Sequence, residues 1–388
     1  MTTLLLAVIY IMFIGIGVPD SLFGVAWPAI YPEFGVGVSS ANLVTMTVAG
    51  CTIISSLLSA RLISRFGTSV VTAVSTAMTA FALFGFSVSS NMLFLVFFSM
   101  PLGLGAGAID SALNSFVALH YKATHMNFMQ CFYGIGVSVS PFLMAIALEG
   151  NTWQYGYRLA FILQTILATI GFLSLPLWRK LHPETESKTA GNVDKILSVS
   201  QMLKMPAVRW VCLYFFFACA VELTFGTWCS TYLVEIRSIT PSMAANIALF
   251  YYMGIAVGRF VSGLLSVKLS GWKLIGLGLI GIVSAILLLL LPLPKAFCSG
   301  ILFLAGVGVG PLFPNMMHLT GKNFSPDIAL SISGIQMTAT YTGILLMPAL
   351  FGLLAQCISA SLYPKYLFAL TIIVILAFWG LLRCNKNV

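Results

Sequence analysis

The chain has 388 residues, of which 59% are hydrophobic and only 7% charged, with a mean hydropathy of +1.01 and a formal net charge of +9. That balance excludes an ordinary soluble domain. Apolar runs of about 20 residues recur along the whole length, each long enough to cross roughly 30 Å of hydrocarbon as a helix, and they lack the alternation of membrane-barrel strands.

Twelve spans are expected, over 4–30, 39–60, 68–89, 92–118, 127–148, 158–178, 207–233, 242–266, 272–292, 296–319, 327–355 and 362–382. The start, Met1-Thr2-Thr3-Leu4, has no basic n-region and reads as a retained first helix. The long polar stretch from Arg179 to Pro206 predicts three regions: a six-helix bundle over 1–180, a cytoplasmic linker over 181–206 and a second six-helix bundle over 207–388.

The first span contains Asp20-Ser21-Leu22-Phe23-Gly24 followed by Trp27, and the seventh contains Glu222-Leu223-Thr224-Phe225-Gly226 followed by Trp228. A carboxylate in a span costs on the order of 3 kcal/mol even on a lenient scale, so such residues usually face a pathway or a binding site. The fourth span adds Asp110, with Asn114 one turn on and therefore on the same face. Burial can bring a carboxylate's protonation into the physiological range, which makes Asp110, Asp20 and Glu222 candidates for proton coupling.

The fourth and tenth spans share another pattern, Gly103-Leu104-Gly105-Ala106-Gly107 and Gly306-Val307-Gly308-Val309-Gly310-Pro311. Tyr133 then Pro141 in the fifth span is matched by Tyr341 then Pro348 in the eleventh. Three matches in one order argue for two pseudosymmetric six-helix units with a site between them. The glycines follow no strand, so close helix packing explains them better than a nucleotide fingerprint. Asn127, Gln130 and Tyr133 in the fifth span, Gln164 in the sixth, Asn315 in the tenth, and Gln336 and Tyr341 in the eleventh could line a cavity. Amides and aromatics together suit a sugar, because amides bond hydroxyls and an aromatic face packs on the ring. Arg259 is the cation inside a span, placed either to neutralise a carboxylate or to make a gate contact.

With the N-terminus inside, fourteen Lys and Arg side chains fall on the cytoplasmic side and four outside, which predicts cytoplasmic termini and a basic pI unrelated to nucleic acid. The eight cysteines show no metal-ligand spacing and read as reduced packing residues. The four histidines form no His-Glu-x-x-His pair and no Gly-x-Ser-x-Gly elbow is present, so no enzyme, cofactor or metal is expected. His120, Lys122 and His125 read as an ordinary basic loop.

At the segments Gly17 to Gly24 with Trp27-Pro28, Gly103 to Asn114, Asn127 to Gly136, Glu222 to Leu233 and Gly258-Arg259-Phe260, the chain resembles the major facilitator superfamily. Within it, the resemblance is to the fucose:proton symporter family of sugar permeases. That resemblance implies an all-α membrane protein with the major facilitator fold. It also implies that Asp20 and Asp110 match carboxylates used in proton coupling and sugar binding, that Asn114 matches an Asn following the acid, and that Gln130 stands where many relatives carry His. The superfamily's basic loop is reduced here to Ser59-Ala60-Arg61-Leu62-Ile63-Ser64-Arg65-Phe66-Gly67, without its acidic member.

The expectation is a monomeric, proton-coupled secondary transporter of the cell membrane, moving a small polar solute, a sugar first, by alternating access; sodium is the alternative ion. Expected substrate contacts are Asp20, Asp110, Asn114, Asn127, Gln130, Tyr133, Glu222, Trp228, Asn315 and Gln336, with gating by Arg259, Arg61 and Arg65. The rival readings are drug or metabolite efflux within transport and, from another class, a membrane-embedded enzyme or ligand sensor.

Overall fold

The computed structural model describes residues 2–37, 40–150, 152–181, 198–239 and 241–385. Among them the chain forms fourteen α-helices in order. The first six are α1 (Thr2–Glu33), α2 (Ala41–Phe66), α3 (Thr68–Ser87), α4 (Met92–His120), α5 (Ala123–Gly150) and α6 (Trp153–Leu181). They continue with α7 (Val199–Lys204), α8 (Pro206–Glu235), α9 (Pro241–Leu265) and α10 (Gly271–Leu290). The last are α11 (Cys298–Val309), α12 (Leu312–Asn323), α13 (Pro326–Cys357) and α14 (Tyr363–Asn385). Twelve candidate membrane spans are built from these helices, α11 and α12 together making one. In hydrocarbon a helix satisfies its own backbone groups, which is why so apolar a chain resolves into long helices.

The chain divides into two compact units. The first comprises Met1–Phe116 and Met129–Ile196, and the second Val117–Phe128 and Leu197–Val388. Much of the linker expected over 181–206 lies outside the described residues; its end is the short helix α7, whose N-terminus is closed by a reciprocal capping box between Ser198 and Gln201.

Inside the first unit, the Gly-x-Gly-x-Gly run sets how α4 packs. A Cβ on Gly103 or Gly107 would run into the backbone carbonyls of Val48 or Thr52 on α2, and one on Gly105 would lie 2.7 Å from the Ser75 carbonyl on α3. Alternate glycines thus let two neighbours approach α4 from different sides. Two hydroxyls fasten the same crossing: Ser55 Oγ donates to Leu104 O at 2.6 Å and Thr52 Oγ1 to Gly103 O at 3.2 Å.

The second unit repeats the device with different residues. Gly306 and Gly310 abut α9 at Tyr251 O and Ile255 O, while Gly308 abuts α10 at Gly278 O. The correspondence of α2 with α9 and of α3 with α10 is what two copies of one six-helix plan require. The copies differ in the continuity of the glycine-bearing helix. The span expected as continuous over 296–319 is broken between α11 and α12, because Pro311 has no N–H to donate to the preceding turn. Pro101, in α4, leaves its helix unbroken.

Aromatic packing closes one end of the first unit. Trp153 lies edge-on to Tyr157 at 5.9 Å and to Phe34 at 5.7 Å, and Tyr157 meets Phe86 at 5.1 Å. Each such pair contributes about 0.5–1.5 kcal/mol beyond its burial. Glu33, the last residue of α1, accepts from Trp153 Nε1 at 2.6 Å and from Gln154 Nε2 at 3.1 Å, pinning that end to the first turn of α6.

Candidate functional site

In the first unit the polar residues of three helices form two linked groups. Asn114 Nδ2 donates to Asp110 Oδ1 at 2.7 Å, and Gln130 Nε2 donates to Asn114 Oδ1 at 3.2 Å. All three side chains are buried. One turn further along α5, Tyr133 OH donates to Asp20 Oδ2 at 2.7 Å, and Asp20 is exposed. Consecutive turns of α5 therefore serve Asp110, through Asn114, and Asp20. The donors run in one direction, Gln130 to Asn114 to Asp110, so Asp110 Oδ1 accepts from an amide that itself accepts from the next.

The backbone makes this placement firm. Gly17 and Gly136 let α1 and α5 touch, a Cβ on Gly17 falling 2.7 Å from Val137 N. Ser21 Oγ donates to Val137 O at 2.7 Å, and Ser140 Oγ donates to Val18 O. With residues 17, 18 and 21 committed to that crossing, Asp20 is left at its margin, within reach of Tyr133.

Asn127 parts company with Gln130 and Tyr133. At 100° per residue, positions 127 and 133 point about 120° apart. Asn127 Nδ2 instead donates to Ala123 O at 2.9 Å and to Asn315 Oδ1 at 3.4 Å, within the second unit. Asn315 in turn donates to Ser262 Oγ at 2.8 Å.

Glu222, the counterpart of Asp20, has a different partner. Arg259 Nη2 on α9 lies 2.9 Å from Glu222 Oε1, with the two side chains 9% and 26% exposed. Of the two roles expected for Arg259, neutralising a carboxylate is the one this geometry displays. Tyr251 OH donates to the Glu222 carbonyl at 2.7 Å and holds α8 to α9 at the same level.

The remaining expected residues are placed as follows. Trp228 donates to Pro348 O at 2.9 Å and packs edge-on against Phe351 at 5.4 Å. Gln336 is buried, with Nε2 donating to Met317 Sδ and Oε1 lacking a partner. Arg61 and Arg65 are exposed at the end of α2, Arg65 lying 5.4 Å over the Phe66 ring. Gln164 ties α6 to α3 through Thr79 Oγ1 at 2.7 Å. Several residues that organise the site were not singled out by the sequence reading. Ser21, Ser140 and Thr79 are common residue types whose partners lie far away along the chain. Ser262, whose hydroxyl is a partner of Asn315, is another such residue.

The family profile of the Major Facilitator Superfamily matches residues 5–348. The chain belongs to the Major Facilitator Superfamily. Its members are transporters rather than enzymes, and this chain is a multi-pass secondary transporter of a small molecule. Bypass of stop codon protein 6 of Saccharomyces cerevisiae is 24% identical over 91% of this chain and 77% of its own length. The glucose/mannose transporter GlcP of Bacillus subtilis is 20% identical over 60% of this chain and 59% of its own. In three dimensions the chain is similar to the FucP transporter solved in its outward conformation, with a TM-score of 0.76, 18% identity and coverage of 96% of this chain and 98% of that one. It is also similar to the proton:xylose symporter XylE, with a TM-score of 0.74, 11% identity and coverage of 97% and 94%. These likenesses establish the major facilitator fold that the resemblance implied.

Proposed function

We propose that this transporter moves a small sugar together with a proton, by alternating access, with Asp110 as the coupling group. The observation that carries the reading is the chain Gln130–Asn114–Asp110, buried beside the Tyr133–Asp20 pair. Two amides ending on a carboxylate supply the donors and acceptors that sugar hydroxyls need. Protonating Asp110 removes the anion on which Asn114 Nδ2 is aimed, so the amides can re-aim and their affinity for a hydroxylated ligand changes with the proton. Asp20, exposed and held by Tyr133, assists as a second proton-accepting group. Glu222 shapes the second unit's contribution while Arg259 keeps its charge balanced.

The named specificities of relatives lean the same way: GlcP is a glucose/mannose transporter, and FucP and XylE carry fucose:proton and proton:xylose symport in their names. The excess of Lys and Arg on one set of loops supports cytoplasmic termini, and the transporter is read as a monomer of the cell membrane. Arg61 and Arg65, exposed at the end of α2, are the proposed gating cations with Arg259. Counterflow in proteoliposomes across a panel of hexoses, pentoses and polyols tests the substrate class. Exchange of at least one sugar is expected, and silence across the panel, with exchange of cationic drugs instead, would remove it.

A further inference from the structure

His318 takes no part in the proposed coupling, yet it is a buried titratable side chain in a telling place. It is 4% exposed, and its Nδ1 has no hydrogen-bond partner. On α12, Asn315 faces Asn127, and Gly321 lies so close to Ala118 that a Cβ would fall 2.6 Å from its carbonyl oxygen. At 100° per residue, His318 lies midway between those two directions. The face of α12 that carries His318 is therefore turned toward the segment Val117–Phe128, the end of α4 and the start of α5, which packs as part of the second unit.

That segment is fastened at several points. Asn127 bonds Asn315, and the hydroxyls of Thr124 and Ser266 lie 2.7 Å apart. Phe128 packs on Phe260 with ring centroids 6.0 Å apart, and its edge fills the space left by Gly263. The contacts are single polar, glycine and aromatic contacts, individually about 1 kcal/mol, so the clasp is one that a modest perturbation can open.

The charged residues of α12 itself and of the Val117–Phe128 segment are cationic or basic. Lys322 follows one turn on along α12, and the segment itself carries His120, Lys122 and His125, with Tyr121 its other titratable group. The helices packed on α12 include α10, which brings Lys273, and α8, which brings Arg209 and Tyr214. The carboxylate of α8 at mid-length, Glu222, is already paired with Arg259 of α9. Also packed on α12 is α13, which brings Asp327 and Tyr341.

We infer that His318 is a proton-operated release for the Val117–Phe128 clasp: neutral His318 lets the segment seat on α12 and α9, and protonated His318 lifts it. A cation at this position would be cut off from water and set beside Lys322, and lifting the segment restores its access to water. Since the seated state excludes the charged imidazole, acid shifts the population toward the lifted state. The inference concerns the clasp and stands whatever solute is carried.

Hydrogen–deuterium exchange on the full-length protein in nanodiscs tests it, read on peptides covering Val117–Phe128 and corrected for the chemical pH dependence of exchange. Between about pH 7.5 and about pH 5.5, the range in which imidazole titrates, wild-type protection should fall about tenfold. His318→Gln should be flat across that range, while His125→Gln should keep the wild-type response. A flat wild type, or an equal fall in His318→Gln, overturns the proposal. If His318→Gln does not fold, Lys322→Gln decides: removing that neighbouring charge should move the midpoint to higher pH, and an unmoved midpoint overturns the proposal.

Discussion

Removing one member of the Glu222–Arg259 pair should cost stability unequally, and the order is set by burial. At about 4 Å and an effective dielectric of 20 the pair's attraction is worth about 4 kcal/mol, and breaking a buried pair costs about 3–5 kcal/mol because the survivor stays charged. Glu222→Leu leaves Arg259, 9% exposed, without its carboxylate, whereas Arg259→Leu leaves Glu222, 26% exposed, with some access to water. The first change should cost about 4 kcal/mol and the second, discounted for that solvent screening, about 2 kcal/mol. The double variant should cost less than the two together, with a coupling of about 2 kcal/mol. In a unit of roughly 200 residues each kcal/mol moves the melting temperature by about 2–4 °C, so tryptophan fluorescence melts in detergent resolve the series. High salt should change the differences little, because a mostly buried pair is weakly screened. Additive costs, or a larger loss in Arg259→Leu than in Glu222→Leu, would refute the assignment of this pair as the unit's internal charge balance.

Gly136→Leu should prevent a monodisperse folded protein, since its side chain would displace the Ile14 carbonyl on α1, while Gly24→Ala, with open space around it, should melt at or slightly above wild type; size-exclusion profiles and melts separate the two. Gln164→Leu should cost about 1 kcal/mol through the lost Thr79 bond and leave substrate affinity unchanged, because the amide ties two helices rather than facing solute; an affinity loss of tenfold or more would place it in the binding site after all. Tyr133→Phe should leave the melting temperature within about 2 °C of wild type, the Asp20 bond being exposed, yet slow proton-driven uptake; unchanged uptake would remove Tyr133 from the coupling group.

Much of this arrangement was legible in the sequence because lipid makes charge and glycine expensive to misplace. Asp20, Asp110 and Glu222 stood out as carboxylates in apolar runs, and the one-turn spacing of Asp110 and Asn114 put them on one face, where the structure has them bonded. The glycine runs predicted close crossings, and the structure supplies their directions: Gly103 and Gly107 toward α2, Gly105 toward α3, with Gly306, Gly310 and Gly308 repeating the plan. What the sequence could not give were partners set by tertiary approach. The two matched carboxylates read as equivalents, yet one meets a tyrosine and the other an arginine. Asn127, grouped with Gln130 by its spacing, turns to Asn315 because each three-residue step rotates the side chain by about 60°. The break at Gly310-Pro311 was not expected, since the span read as continuous over 296–319, and Pro101, which leaves α4 unbroken, shows that proline alone does not decide it.

Sugar uptake driven by an imposed proton gradient, in proteoliposomes carrying wild type or Asp110→Asn, tests the central proposal most directly. The account predicts accumulation of at least one sugar by wild type, and an Asp110→Asn protein that still exchanges that sugar in counterflow but no longer accumulates it. Accumulation retained in Asp110→Asn, or uptake driven by sodium and indifferent to the proton gradient, would contradict it.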